Sequence, residues 1–426
     1  MPQIRMLADG VRLVAVPANQ FKTGCISVSM ALPMNGNLAA NSLLVYLLKR
    51  SCKEYPDFTL LNGKLDELYG ASIGAGVLKL GESQVLYLSI TSLDDKFALT
   101  DESISEQCAN LLADLIFKPN IKNKSFGKEA LATEKRLLMQ RIEEELNDKR
   151  TYAFNKCIEH MCSNESYGRD KYGTVEEIEN ITMNDIYEAW KNLLSTAVFQ
   201  ITAVGSADVD TVANAFIKHF EKIERNPVKP ETVFVAKSRR FNRYEEKFPV
   251  NQGKLVIGFR AGTHSSSENL GVMTVMNDIF GSGTYSKLFT NVREKLSHAY
   301  YCWSKFIKDK GLLLVEAGID TDKEKKVSAE VLSQLSDLRN GKTDPEILES
   351  SKRALKERYT FSMPESILSW YSTQVLEDEI LTTDDIIKSV EQVTMEQVCE
   401  AAKKLSIDTI FMLSAQSEGE ADCNEN

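Results

Sequence analysis

The chain has 426 residues, with 51 Lys and Arg against 61 Asp and Glu, so its formal net charge is -10. This length suits two or three domains, and 43% hydrophobic residues is ordinary for a globular chain that buries its own cores. The acidic balance argues against a nucleic-acid partner, and we expect a cytoplasmic protein with no membrane partner, because neither a long apolar stretch nor a secretory signal is visible.

Short apolar or alternating segments predict the strands of the first half, because residues that face a sheet core recur at every second position. These segments cover residues 11–16, 25–32, 85–90 and 199–204. Longer amphipathic patterns predict helices over 103–117 and 126–145, where apolar residues keep to one face and charges fill the other.

The same order of elements returns in the second half. Strands are expected over 255–259, 312–317 and 409–414, and long helices over 322–339 and 345–359. Asp344 before Pro345 predicts a helix start, since Asp caps free N–H groups and Pro is tolerated at the first helical position.

Between the halves, charged residues and two prolines interrupt the periodicity, so residues 222–247 are predicted to be a linker. The predicted organisation is an N-terminal lobe at 1–221, this linker, a C-terminal lobe at 248–416 and an acidic disordered tail at 417–426. Each lobe is long enough to fold around its own core.

The two halves also end alike, which indicates an internal duplication. Thr182 and Thr394 lie in similar segments (178–186 and 390–398), and a helix-like run and a strand follow each of them. Both are predicted helix N-caps, because a hydroxyl satisfies free backbone N–H groups. The predicted fold class is therefore α+β, with two homologous lobes that each carry a mostly antiparallel sheet and helices packed on one side.

Eight cysteines are scattered along the chain and none forms a C-x-x-C pair, so we expect reduced thiols in a reducing compartment. Cys157, His160 and Cys162 carry side chains that could ligate a metal. No second ligand cluster follows at a zinc-like spacing, so we interpret them as side chains of one helix.

Several segments, taken in order, resemble the pitrilysin (insulinase-like) family of zinc peptidases and their mitochondrial processing peptidase relatives. They are residues 126–145, 167–178, 181–186 and 203–208 in the first half, and 281–288 and 292–300 in the second. The resemblance covers nearly the whole chain and implies two homologous peptidase-like lobes. Within the family, the chain most resembles paired bacterial members that are named for an association with elongation factor P modification. Residues 66–71 are part of this resemblance.

The zinc motif of the active members of that family is missing. They carry H-x-x-E-H on the first helix, where two His bind zinc and the Glu activates water. Aligned through residues 51–56, Ser42, Val45 and Tyr46 stand at the positions of these three residues, and the third zinc ligand falls near Arg141. An apolar side chain cannot act as a base, and an Arg repels a cation. We therefore expect no catalytic residue and no metal on this chain.

No other part of the sequence can supply the motif, because the four histidines are far apart. They are His160, His219, His264 and His298. Whatever the register of the alignment, the sequence therefore predicts no catalytic zinc site of the family type. His298 lies close to the second-half segments above, but no nucleophile or carboxylate accompanies it, and we interpret it as a packing or surface residue.

The second half keeps what the resemblance identifies as the substrate-binding part of the site. Arg293 and Tyr300 match an Arg and a Tyr that hold the substrate backbone and stabilise the reacting carbonyl, a role that suits a fixed cation and a phenol donor. Without that context, the pair is an exposed helix Arg and a strand Tyr. Gly281, Ser282 and Gly283 match a glycine-rich substrate loop, with a helix-ending turn as the alternative. No Gly-Lys-Ser/Thr follows, which excludes a phosphate-binding loop.

The resemblance therefore implies a non-catalytic subunit of a heterodimeric peptidase. This chain would supply the Arg/Tyr half-site for a peptide substrate, and an H-x-x-E-H-bearing homologue would be the partner that carries zinc. The alternative is a purely structural subunit with no substrate. A third hypothesis, an independent hydrolase, has little support because the sequence offers no nucleophile–base pair.

Overall fold

The computed structural model describes residues 1–264 and 267–415, and the chain divides into two compact units. Unit 1 comprises residues 1–143, 169–231 and 361–382, and unit 2 comprises 144–168, 232–360 and the chain from 383 onward. Each unit therefore includes a segment from the opposite half of the sequence. The predicted tail at 417–426 lies outside the described residues.

Unit 1 is organised around one mixed sheet. Its strands are β1 (Gln3–Ala8), β2 (Val11–Pro17), β3 (Thr23–Pro33), β4 (Ser72–Leu80), β5 (Ser83–Leu93) and β6 (Val198–Gly205). They lie in the order β1-β2-β6-β3-β5-β4, with β2 and β6 parallel and the other neighbours antiparallel. The strands predicted in the first half are β2, β3, β5 and β6, which have neighbours on both sides.

The sheet of unit 2 repeats this arrangement. Its strands are β7 (Asn242–Phe248), β8 (Gly253–Arg260), β9 (Ala299–Ile307), β10 (Leu312–Ile319) and β11 (Ser406–Ala415), in the order β7-β11-β8-β10-β9. Without β1, the first sheet has the same order of strands and the same single parallel pair, here β7 with β11. The shared topology is what a duplication produces, and the mostly antiparallel sheets with helices confirm the predicted α+β class.

The helices of the described residues alternate with these strands. They are α1 (Leu38–Arg50), α2 (Phe58–Glu67), α3 (Ile104–Phe117), α4 (Lys128–Asn147), α5 (Lys149–Met161), α6 (Val175–Asn180), α7 (Met183–Thr196), α8 (Val209–Phe220), α9 (Ser267–Asn277), α10 (Glu324–Arg339), α11 (Pro345–Tyr359), α12 (Pro364–Ser372), α13 (Thr383–Gln392) and α14 (Met395–Lys404). Two π-helical segments, Asp278–Ser282 and Leu288–Lys295, follow α9. In this part of the chain, no helix combines the length and hydropathy needed to cross a bilayer.

The predicted helix starts are confirmed at Thr182, Asp344 and Thr394. Thr182 and Thr394 form capping boxes, in which each hydroxyl accepts from the N–H three residues on and that residue's side chain accepts from the Thr N–H. Asp344 accepts from the Glu346 N–H at 3.0 Å, and Pro345 is the first residue of α11. These equivalent caps fix the same helix-to-strand unit at the end of both halves.

The main core of unit 1 lies on one face of its sheet. Ile26, Val28 and Met30 alternate along β3 into a cluster shared with apolar residues of α1, α3, α7 and α8. This is the helical layer predicted from the sequence. Cys25, which points the other way, belongs to a separate small cluster with Leu368 of α12.

A helix from the opposite half of the sequence covers the second face of each sheet. In unit 1, α12 packs on β3 and β6; in unit 2, α5 packs on β8 and β11. Cys157 and Met161 of α5 are buried against Val256 and Phe411. The predicted boundaries at 221 and 248 do not include this exchange, because local periodicity carries no information about which sheet a helix joins.

The predicted linker is ordered at its start. The Arg225 guanidinium donates to the carbonyl oxygens of Leu194 and Ala197, and the Val228 N–H donates to Thr196 at 2.8 Å. Near its end, β7 begins inside the predicted linker. This edge strand is charged and largely solvent-exposed, so it lacks the apolar run that identifies interior strands.

Candidate functional site

Ser42, Val45 and Tyr46 lie on α1, which is buried along most of its length. The helix starts where the Asn37 side chain accepts from the Ala40 N–H at 3.0 Å. It packs against β4 and β5 of the sheet and against α6 and α7, and the three residues are 0%, 0% and 5% exposed. None of them faces solvent, whereas a catalytic zinc site needs an open coordination position for water.

Arg141 of α4 lies directly over Tyr46, so the structure brings together the two positions that the alignment assigned to a His and the third zinc ligand. The guanidinium carbon of Arg141 is 4.0 Å from the centroid of the Tyr46 ring. Such a cation–π contact contributes about 0.5–2 kcal/mol and joins the two helices without a metal. Burial raises the pKa of the Tyr46 hydroxyl, nearby Tyr172 adds to the shift and Arg141 opposes it. The phenol therefore stays neutral.

Gln84 of β5 satisfies the polar groups beside Ser42. Its amide nitrogen, which carries two hydrogens to donate, lies 3.0 Å from the Ser42 hydroxyl oxygen, 2.9 Å from the Leu38 carbonyl oxygen and 2.7 Å from the Lys171 carbonyl oxygen. Asn41 donates to the Gln84 oxygen at 2.9 Å. Gln84 was not predicted from the sequence, where an isolated Gln in an apolar strand is the only signal.

The described residues contain no group of three or more His, Cys, Asp or Glu side chains arranged to hold a metal. His160 stacks on Tyr244 with ring centroids 3.8 Å apart, whereas Cys157 is packed in the core beneath α5. This agrees with the interpretation of residues 157–162 as one helix and its end. Ser42, Val45, Tyr46 and Arg141 include neither an imidazole nor a carboxylate, the groups that bind zinc and activate water in the zinc peptidases.

Tyr300 lies at a β-bulge in the edge strand β9. Gly318 pairs with Tyr301 and Ile319 pairs with Ala299, so Tyr300 is the additional residue of its strand. Its side chain is 62% exposed, and the hydroxyl donates to Asp320 at 3.2 Å. A bulge redirects a side chain, and here it presents the phenol to solvent.

Arg293 is exposed on the π-helical segment Leu288–Lys295, which packs against β9. Its guanidinium carbon is 4.6 Å from the Phe289 ring centroid, one turn earlier. Among the described residues, no carboxylate lies within ion-pair distance of Arg293, so its N–H groups are available to a ligand. A tight turn in which Ser297 has a φ of 50° separates this segment from Tyr300.

Gly281, Ser282 and Gly283 lie at the end of the first π-helical segment, which also packs against β9. A Cβ on Gly281 would come within 2.8 Å of the Ser304 backbone nitrogen, and one on Gly283 within 2.7 Å of the Tyr285 ring. Close packing therefore requires both glycines, whether or not a substrate contacts the loop. The five predicted substrate-binding residues lie on segments that share β9.

Residues 180–355 match the family model described as the Peptidase M16 inactive domain. The chain is also 28% identical over 414 residues to the probable inactive metalloprotease YmfF of Bacillus subtilis. The aligned residues cover 96% of this chain and 97% of that protein. The chain is thus similar in sequence to the M16 metallopeptidases, and to a domain and a relative that are named as inactive. This finding confirms the resemblance to the pitrilysin-like peptidases that the sequence indicated.

Two further comparisons extend these similarities to a protein named as a zinc protease and to a solved structure. The chain is 24% identical over 305 residues to the uncharacterized zinc protease YmxG of Bacillus subtilis, covering 70% of this chain and 71% of that protein. A crystal structure of a conserved protein from Enterococcus faecalis V583 is similar with a TM-score of 0.88 and 26% identity, over 98% of this chain and 99% of that one. The fold of this chain is therefore shared over almost its full length.

Proposed function

We propose that this M16 homologue is the non-catalytic subunit of a heterodimeric peptidase, in which it supplies Arg293 and Tyr300 to a partner that carries H-x-x-E-H and zinc. The observation that carries the proposal is a contrast between the two halves. Tyr46 and Arg141, which the resemblance aligns with zinc ligands, are stacked on each other, whereas Arg293 and Tyr300, which it aligns with substrate-binding residues, are exposed.

The chemistry of the two exposed residues suits amide hydrolysis by a shared site. Attack of water on a peptide carbonyl develops negative charge on the oxygen, and a cation and a phenol donor stabilise that charge. The zinc of the partner would activate the water and polarise the carbonyl. In this chain Arg293 and Tyr300 would hold the substrate backbone and donate to the developing oxyanion, and the loop at 281–283 would contact the peptide.

The names of two relatives support a paired arrangement. Bacillus subtilis has both a protein named as a probable inactive metalloprotease and one named as a zinc protease, and this chain is similar to each. An inactive and a zinc-bearing relative within one organism are what a heterodimer of homologues requires. We therefore propose a zinc-protease homologue from the same organism as the partner.

The proposed complex acts in the cytoplasm, where thiols stay reduced. Cys25, Cys108 and Cys302 are buried free thiols. Burial raises the pKa of Cys25 and Cys108 to about 11 and that of Cys302 to about 12, so these thiols are protonated and unreactive at neutral pH. They contribute to packing.

A structural subunit with no substrate is the alternative, and Arg293 discriminates the two functions. Arg293→Ala should lower kcat/KM for a fluorescein-labelled casein substrate by about 100-fold in the mixed complex, the usual effect of losing one oxyanion donor. Arg353→Ala is the matched control, because Arg353 is also an exposed helix Arg of unit 2. Equal activity of the two variants would favour the structural function.

A further inference from the structure

Asp278 is a fully buried carboxylate at the start of the first π-helical segment. It accepts hydrogen bonds from the Tyr285 hydroxyl at 2.5 Å and from the Ser351 hydroxyl at 2.8 Å, and Arg358 donates to its other oxygen at 3.3 Å. Burying a carboxylate costs free energy unless hydrogen bonds and a charge compensate, and here all three partners converge on one residue.

These bonds hold the loop that contains Gly281, Ser282 and Gly283 at both of its ends. The backbone oxygen of Asp278 accepts from the Gly283 N–H at 3.1 Å, and its carboxylate holds Tyr285 beyond the loop. The Tyr285 ring in turn lies against the Cα of Gly283. A single side chain therefore sets where the loop enters and leaves.

Backbone hydrogen bonds connect the loop held by Asp278 to the segment that carries Arg293. The Ser286 N–H donates to Gly283 at 3.0 Å, and the Thr290 N–H donates to Ser286 at 2.9 Å, so the segment that carries Arg293 starts from the anchored loop. Both flanking segments are π-helical, a rare conformation that is often found at functional sites and needs compensating contacts. Asp278 provides such contacts from α11, through Ser351 and Arg358.

We propose that Asp278, acting through Tyr285, is the positioning residue of the substrate-binding segment from Gly281 to Arg293. The inference rests on the proposed function, because it assumes that this segment holds a peptide. Asp278 does not face the substrate itself. Its effect is to fix the loop and the start of the Arg293 segment before the substrate binds, which lowers the entropic cost of binding.

Hydrogen–deuterium exchange on the full chain tests the anchor without any partner or substrate. Asp278→Asn and Tyr285→Phe should speed exchange in a peptide covering residues 281–287 by at least about tenfold, because the hydrogen bonds at Gly283 and Ser286 open more often. Exchange in β10 should stay unchanged. Tyr244→Phe, an exposed Tyr of β7, is the control. Unchanged exchange at 281–287 in both variants overturns the proposal.

Turnover of fluorescein-labelled casein by the mixed complex tests the positioning role. Tyr285→Phe keeps the ring on Gly283, so it should raise KM by about five- to tenfold with kcat within twofold, the pattern of lost binding. A fall in kcat at constant KM would point to a merely structural effect and overturn the inference. If Arg293→Ala abolishes turnover but Tyr285→Phe leaves both KM and kcat unchanged, this inference alone fails. If the wild-type mixture is inactive, the proposed function and this inference fail together.

Discussion

Arg12 and Arg260, on the sheets of different units, each donate to backbone carbonyls at or just beyond the C-terminal end of the helix that comes from the opposite half of the sequence. Arg12 of β2 donates to the carbonyls of Gln374 and Glu377, just beyond the end of α12. Arg260 of β8 donates to the carbonyl of Met161, the last residue of α5. The Met161 carbonyl is among the last of its helix, which lack intrahelical partners, so the Arg260 guanidinium satisfies it and fixes α5. Arg12 instead holds the turn that follows α12.

Arg260 also belongs to a buried group of balanced charges in unit 2. It lies 2.8 Å from Glu165 and 2.8 Å from Asp408, and Lys310 lies 2.7 Å from Glu165. The side chains of these residues are all less than 10% exposed. Glu165 follows α5, so this network attaches the exchanged segment to its sheet.

The first prediction concerns the stability that this network provides. Arg260→Met should lower the free energy of unfolding by about 3–5 kcal/mol, because it leaves the buried Asp408 carboxylate without its ion-pair partner, with only the hydrogen bond from the Thr409 hydroxyl. The control is Lys356→Met, which breaks an exposed pair with Glu391 and should cost less than about 1 kcal/mol. Urea unfolding followed by circular dichroism measures both. Equal losses in the two variants would contradict the assigned role of the network.

The second prediction is a pH dependence that arises from Glu165. Burial raises the pKa of this carboxyl, but hydrogen bonds from Arg260 and Lys310 outweigh burial and hold the pKa below its ordinary value. A depressed pKa contributes stability above the unfolded value of about 4.3, and that stability is lost as pH falls through the folded value. The stability difference between wild type and Glu165→Gln should therefore shrink from pH 5 to pH 3. A stability difference that grows toward low pH would contradict this prediction, because it would mean that the pKa of Glu165 is raised on folding.

The sequence predicted the interior of both sheets but none of their edges. The strands that it identified are the ones with neighbours on both sides, since two buried faces and two partners select apolar residues such as those of β8 and β10. The missed strands β1, β4, β7 and β9 are the edges. Charges fill β7, glycines interrupt β4, and β9 alternates irregularly around its bulge.

The residues of the candidate site were also predicted only in part. The resemblance aligned Tyr46 and Arg141 with two zinc ligands of the family, and the two side chains are in contact in the structure. Asp278 and Gln84 could not be predicted, because their roles depend on partners that lie 73 and 42 residues away in the chain, Ser351 and Ser42. A single buried carboxylate or amide gives no periodic signal.

The third prediction tests the position of the lost zinc site. A variant combining S42H, V45E, Y46H and R141E should bind about one equivalent of zinc, because it restores three ligands and a base on helices that already touch. The same variant with Arg141 retained should bind far more weakly, since the guanidinium would repel the metal. Metal content after dialysis decides, and absence of zinc from the fourfold variant would show that the alignment is wrong.

The fourth prediction concerns Tyr300. Tyr300→Phe removes only the hydroxyl, so in the mixed complex it should lower kcat by about 100-fold while KM for fluorescein-labelled casein stays nearly constant, because an oxyanion donor acts mostly in the transition state. Tyr244→Phe, on the opposite edge of the same sheet, serves as control. An equal loss in binding and turnover would instead assign Tyr300 to docking.

The shared site is tested most directly by measuring peptide cleavage by this chain mixed with an H-x-x-E-H-bearing homologue from the same organism, alongside each protein alone. If the site is shared, peptide is cleaved only by the mixture, and cleavage is lost on Arg293→Ala. Equal activity of the homologue alone, or a mixture that cleaves nothing, would contradict a shared site.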